Sequence, residues 1–365
     1  MMRGRAMKGV RVTFTIMTLT PFLLAAWLGT AAAQAPGTVA CAAGDKPCLL
    51  KRVKAHPART EAFWKNSLSH PVGERQGPAP PGVVEYLRLD NLLNGYPEKP
   101  RASRLSADFV ADVRGAIDDM PPAVRRVFDD TFAGVWFVED LGGTGYTEMF
   151  LDPRGKPVGG FVVLDSTVLG KFTANGWATW KENTPFKAAP PWALEARIEA
   201  DSQDDRRGAI RYILLHELGH VLSINRDVHP RWDISPKDVP PSARFPFFEL
   251  SWTVDRKENR YASKFDAGFP ARRSIVYYLG AKLAAGDMAA TYASLEKTNF
   301  PTLYAATIPG DDFAESFVSY VHTMLMKRPW EITIRRDGNV VKTYRTCWEQ
   351  ARCAQKRRIL EDLLR

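Results

Sequence analysis

His216 and His220 stand four residues apart with Glu217 between them, in a stretch where Ile210, Ile213, Leu214, Leu218, Val221 and Leu222 recur at helical spacing. On a helix, that spacing puts both imidazoles on one face, about one turn apart. Neutral imidazole nitrogens so placed can hold a single metal ion. Glu217 points slightly off that axis. From there a carboxylate can take a proton from a metal-polarised water without itself being a ligand. Leu215, Leu218, Gly219, Val221 and Leu222 are uncharged, as a buried active helix requires. Gly219 leaves room for a close backbone approach, at some cost in helix propensity. The chain has only 6 histidines, and two of them hold this spacing around a glutamate. The competing interpretation is a buried amphipathic helix with two incidental histidines.

A catalytic zinc site needs a third protein ligand and an open position. Ser223 and Arg226 stand where the compact motif H-E-x-x-H-x-x-G-x-x-H requires glycine and histidine. Some twenty residues on, Lys237-Asp238-Val239-Pro240-Pro241 cannot sit on a helix. The remaining candidate is the later segment Asp311-Asp312-Phe313-Ala314-Glu315, preceded by Tyr304. Its ordinary structural role would be that of a helix start, since Asp312 and Glu315 fit a capping box and acids suit a first turn.

His216-Glu217-Leu218-Gly219-His220 is the arrangement of zinc peptidases. With Tyr304 seven residues before Asp311-Asp312-Phe313-Ala314, the stretch 206–322 resembles the gluzincins related to anthrax lethal factor. That resemblance implies an α+β, zincin-like fold: a small mixed β-sheet, an active-site helix and a mainly helical C-terminal part. It implies one catalytic zinc ion with Asp311 as third ligand, Tyr304 as an active-site tyrosine and Glu315 as the carboxylate steadying a ligating histidine. The substrate would be a peptide or protein. The family has glutamate where this chain has Asp311. Aspartate is one methylene shorter, so the two helices must approach more closely, and Glu315 stays open as a rival ligand.

The elements that must position these residues can be read around them. Phe109, Val113 and Ile117 predict a helix over 105–120, with a shorter one over 123–132. Extended runs at 135–138, 146–151 and 161–164, separated by glycine- and proline-rich turns, predict a meander of strands. The zincin resemblance implies residues 159–165 as the candidate edge against which a substrate could add as a strand, a plain core strand being the alternative. Helical signals return over 274–295 and 311–326, and 347–364 reads as a last amphipathic helix. Pro- and Gly-rich stretches at 71–82 and 91–100 read as loops.

Arg3, Arg5, Lys8 and Arg11 precede an apolar run that ends in Ala31-Ala32-Ala33, the pattern of a secretory signal peptide cut after Ala33. The expected organisation is therefore a signal peptide at 1–33, a loop-rich N-terminal extension at 34–100, the metallopeptidase domain at 101–346 and a disulfide-linked helical tail at 347–365. The expected location is the periplasm or the outside of the cell. An even set of cysteines in an exported chain favours disulfides, paired locally as Cys41 with Cys48 and Cys347 with Cys353. The formal charge of +9 falls to +5 once the four leader cations are set aside, with no basic block that reads as a nucleic-acid surface. No later segment is apolar for long enough to cross a bilayer. Two other functions share these features: a zinc amidase or peptidase of cell-wall peptides, and a degenerate zincin that binds a partner without catalysis.

Overall fold

The computed structural model describes residues 41, 42 and 44–365, so the leader at 1–33 lies outside the described residues. The chain is mixed α/β with several small sheets and a helical C-terminal part. Its main sheet holds β1 (Gln76–Pro78), β2 (Arg101–Ala102), β3 (Phe132–Glu139), β4 (Gly145–Leu151) and β5 (Pro157–Asp165). The spatial order is β1-β3-β5-β4, with β2 beside β3. β3 and β5 run parallel, and β4 is antiparallel to β5.

The expected meander is therefore corrected, and so is the expected edge. β5 lies inside the sheet between β3 and β4, and β4 is the terminal strand. The cause is visible in β5 itself: Phe161-Val162-Val163-Leu164 is apolar without alternation, as a strand covered on both faces must be. Gly159 permits the crowding, since a Cβ there would stand 2.3 Å from the carbonyl oxygen of Thr131.

Alternation along the strands divides the core in two. Val135, Phe137, Met149, Val162 and Leu164 face one cluster, and Val138, Tyr146, Phe150, Phe161 and Val163 face the other. The second cluster is closed by α1 (Lys46–Lys54), α2 (Glu61–Leu68) and α3 (Pro81–Asn94). Trp64 of α2 packs on Phe161 with ring centroids 4.7 Å apart. The expected loop-rich extension is thus corrected: residues 46–94 form a helical layer under the sheet and supply β1. Loop signals misled there because Pro81 opens α3 at a position where its missing N–H costs nothing, and Gly95 ends it in the left-handed region.

The first cluster is closed by α4 (Ala107–Asp118), the short α5 (Pro122–Arg126) and α6 (Ser166–Leu169), then α7 (Ala174–Asn183) and α8 (Arg206–Ser223). α8 carries the two-histidine motif and is buried along almost its whole length. Asp205 caps it by accepting from the Gly208 N–H at 2.7 Å. Its first turns are held by Arg206 to Asp108 and Asp112, and by Arg207 and Arg211 to Asp119, all on or just after α4.

Beyond α8 the chain is irregular, broken by α9 (Phe248–Ser251) and the hairpin β8 (Trp252–Asp255) and β9 (Arg260–Ser263). A second sheet joins β7 (Trp192–Arg197) to β11 (Glu331–Arg336) and β12 (Asn339–Arg345), and β6 (Phe186–Lys187) pairs with β10 (Leu283–Ala284). The helix expected over 274–295 shrinks to α10 (Met288–Leu295), because Tyr278 and Gly280 take positive φ and break the preceding stretch. The helix expected over 123–132 is likewise only Pro122–Arg126. α11 (Pro309–Tyr320) continues through a π turn at Val321–Leu325, and α12 (Ala354–Leu363) ends the chain. Disulfides link Cys41 to Cys48 and Cys347 to Cys353. Among the described residues no helix is long and apolar enough to cross a membrane.

α8 and α11 cross at Gly219, where an added Cβ would stand 2.7 Å from the Ala314 Cα. Backbone on one side and helix on the other leave nothing that can yield cheaply. Gly219→Ala should therefore cost about 1–3 kcal/mol by overpacking, against the gain of about 1 kcal/mol that alanine brings to an ordinary helix interior. Urea unfolding of the two proteins checks this. A variant more stable than its parent would mean that the crossing is looser than described.

Candidate metal centre

α8 and α11 bring together His216, His220 and Asp311, all buried, with one potential ligand atom from each lying within 4.8 Å of the others. Pro309 opens α11 at a favoured position, which places Asp311 in its first turn against the last turn of α8. The Nε2 of His220 and the Oδ1 of Asp311 are 3.6 Å apart. Both are buried, and neither has a hydrogen-bond partner among the described residues. A buried polar atom without a partner is costly, so two facing each other mark a place where something else completes them. Two imidazoles and a carboxylate form the donor set of a borderline divalent ion such as zinc, with positions left open. The group could hold a metal ion, and its residues fit one.

Glu315, one turn beyond Asp311, is differently occupied. Its Oε1 accepts from His216 Nδ1 at 2.9 Å and from Lys181 Nζ at 2.9 Å, and its Oε2 from Thr302 Oγ1 at 2.6 Å. With Nδ1 donating, His216 keeps Nε2 for a ligand role. Burial alone would raise the Glu315 pKa, but Lys181 and His216 overcome it and hold the carboxyl down at about 2. Asp311 has no such cation in contact, and burial pushes its carboxyl up to about 7. Burial takes the His220 pKa well below the ordinary imidazole value, and the nearby His216 and His229 lower it further. Asp312 plays no part in the group and is no helix cap. It accepts from Trp252 Nε1 at 2.9 Å and pairs with the buried Lys356 of α12.

Glu217 follows His216 on α8, its Oε2 accepting from Thr147 Oγ1 of β4 at 2.6 Å. Burial raises its pKa, and His216 and Thr147 offset part of that shift. β4 approaches closely at Gly145, where a Cβ would stand 2.4 Å from Glu217 Oε1 and displace that carboxylate. Tyr304 stacks on the His216 ring at a centroid distance of 5.6 Å. It shares with Glu217, Gly145, Ile213, Trp177 and Tyr278 the wall of a cavity of about 20 Å³, room for about one or two waters. Thr144, His216, Lys181 and Glu315 complete this cavity.

None of the remaining histidines belongs to the convergent set, although His229 lies near His220. His322 is buried, with Nε2 against the Ile198 carbonyl oxygen at 2.6 Å. His229 is buried beside Phe313 with Nδ1 on the Pro230 carbonyl oxygen at 2.8 Å. His56 belongs to the N-terminal layer, and His70 faces Glu74 at 3.8 Å. Sequence reading missed Lys181, Thr147, Gly145 and Thr302. Lys181 sits in an unremarkable run, Trp180-Lys181-Glu182, and nothing in its spacing marks it. Compared with known proteins, the chain matches no family model, no curated protein and no solved structure.

Proposed function

We propose that the chain is an exported zinc-dependent peptidase of the zincin type, with His216, His220 and Asp311 as ligands and Glu217 as general base. One observation carries this: the unpartnered, buried His220 Nε2 and Asp311 Oδ1 converge with His216, and His216 and the adjacent Glu217 both line a water-sized cavity. A zinc ion held by these three residues would supply Lewis acidity and bring the pKa of a bound water toward neutrality.

The chain's own residues do the rest. Glu217, raised by burial and steadied by Thr147, takes a proton at one carboxylate oxygen and returns it to the leaving amine. Tyr304 keeps its phenol proton, because burial raises its pKa well above the ordinary value, so its hydroxyl can donate to the developing oxyanion. Glu315 orients His216 and is a positioning group, its oxygens being already engaged. The pattern Tyr304, Asp311, Glu315 on and before α11 supports a gluzincin-like assignment.

A substrate that adds as a strand would meet β4, in place of the edge expected at 159–165, and, Gly145–Phe150 being buried in this structure, only once that edge is uncovered. Thr144 O accepts from Asp165 N at 3.0 Å, so by antiparallel alternation Gly145 and Thr147 direct their backbone groups away from β5. Those two residues also touch Glu217, which puts a docked backbone next to the base. The disulfides and the leader are compatible with export to an oxidising compartment.

Digestion of a broad peptide library by the zinc-loaded protein, read by mass spectrometry, tests this. Cleavage that a chelator stops and zinc restores is the expected outcome. Cleavage of peptidoglycan stem peptides but of no unstructured protein would move the substrate to the cell wall. An intact library with zinc bound would leave only a binding role.

A further inference from the structure

We propose that Lys181 is a positioning residue for the metal centre: its ammonium locks the Glu315 carboxylate, and through it the orientation of His216. This rests on the metal reading of His216, His220 and Asp311.

Lys181 projects from α7, an element that carries none of the candidate ligands, and its side chain is 3% exposed. A lysine so deeply buried must be paired, and its partners are specific. Nζ lies 2.9 Å from Glu315 Oε1 and 3.4 Å from Glu182 Oε1. Glu182 is in turn fixed by the Tyr277 and Tyr292 hydroxyls, at 2.8 and 2.9 Å. The ammonium is therefore anchored from behind while it faces Glu315.

The same Oε1 that accepts from Lys181 accepts from His216 Nδ1. Thr302 holds the other oxygen. With one donor on Oε2 and two on Oε1, the carboxylate cannot turn about its axis without losing several contacts at once. The histidine ring is then held with Nδ1 donating and Nε2 free. Lys181 also stands 4.5 Å from the centroid of the Tyr304 ring, which itself stacks on His216. Two of the groups against the His216 ring, a carboxylate and an aromatic face, are thus in contact with one ammonium. A buried pair serving packing alone would have no need to converge on a candidate ligand from a separate helix.

The test is a cycle of zinc affinities, measured by chelator competition on the purified protein, with thermal unfolding to confirm that each variant is folded. Lys181→Met and Glu315→Gln should each weaken zinc binding about 10–100-fold, the cost typical of removing a partner that orients a ligand. If Lys181 acts through Glu315, the double variant should bind zinc within about twofold of Glu315→Gln alone. Losses that add in the double variant overturn the inference, as does a Lys181→Met protein that binds zinc like its parent. If Lys181→Met does not fold, the double variant, which leaves no unpaired Glu315 charge, is compared with Glu315→Gln, and a further tenfold loss overturns it. Unmodified protein that takes up no zinc would instead remove the metal reading on which the inference stands.

Discussion

Glu217→Gln should lower the rate of peptide hydrolysis about 10²–10⁴-fold, the range lost with a general acid–base group, while zinc content stays that of the parent. The amide is close in size to the carboxylate, and its oxygen can still accept from Thr147 Oγ1, so the geometry between β4 and α8 is kept. What is lost is a group able to bind a proton and release it. Because Glu217 is no part of the convergent ligand set, metal binding and catalysis should separate cleanly in this variant. Initial rates on a cleaved library peptide, with zinc quantified in the same sample, measure both. Equal loss of zinc and rate would place Glu217 in a structural role instead.

Asp311→Ala should weaken zinc binding by more than about 100-fold, beyond the upper end of what an orienting partner costs. Asp311 offers an unpartnered buried oxygen 3.6 Å from His220 Nε2, whereas each oxygen of Glu315 already accepts from a donor. Glu315→Ala should therefore be the milder lesion for the metal. It should be the harsher one for the fold, since it strands Lys181 beside Glu182 with one buried carboxylate fewer. Chelator competition and thermal unfolding on the pair of variants resolve these opposite orders. A larger zinc loss in Glu315→Ala would exchange the two roles.

Much of the centre was legible because it is local. His216, Glu217 and His220 lie within one and a half turns of a helix whose apolar stripe is plain, and Gly219 announces the close crossing that Ala314 makes. Tyr304, Asp311 and Glu315 came from a resemblance in spacing. What could not be read is what arrives from elsewhere. β5 holds an unbroken apolar run and β4 carries Thr147 and Glu148, a difference too slight to rank two strands before their pairing is seen. Thr147 matters through its reach to a helix that follows much later, and Lys181 through a carboxylate on yet another element. The helical layer at 46–94 was hidden behind prolines and glycines that serve as helix starts and stops as readily as loops.

The most direct measurement is bound zinc per chain, by elemental analysis of purified protein folded under oxidising conditions and supplied with zinc. About one ion per chain is expected, as for a single site with three protein ligands, with the signal lost in Asp311→Ala. Well-folded protein that retains no zinc would contradict it and leave His216 and His220 as two buried histidines on an apolar helix.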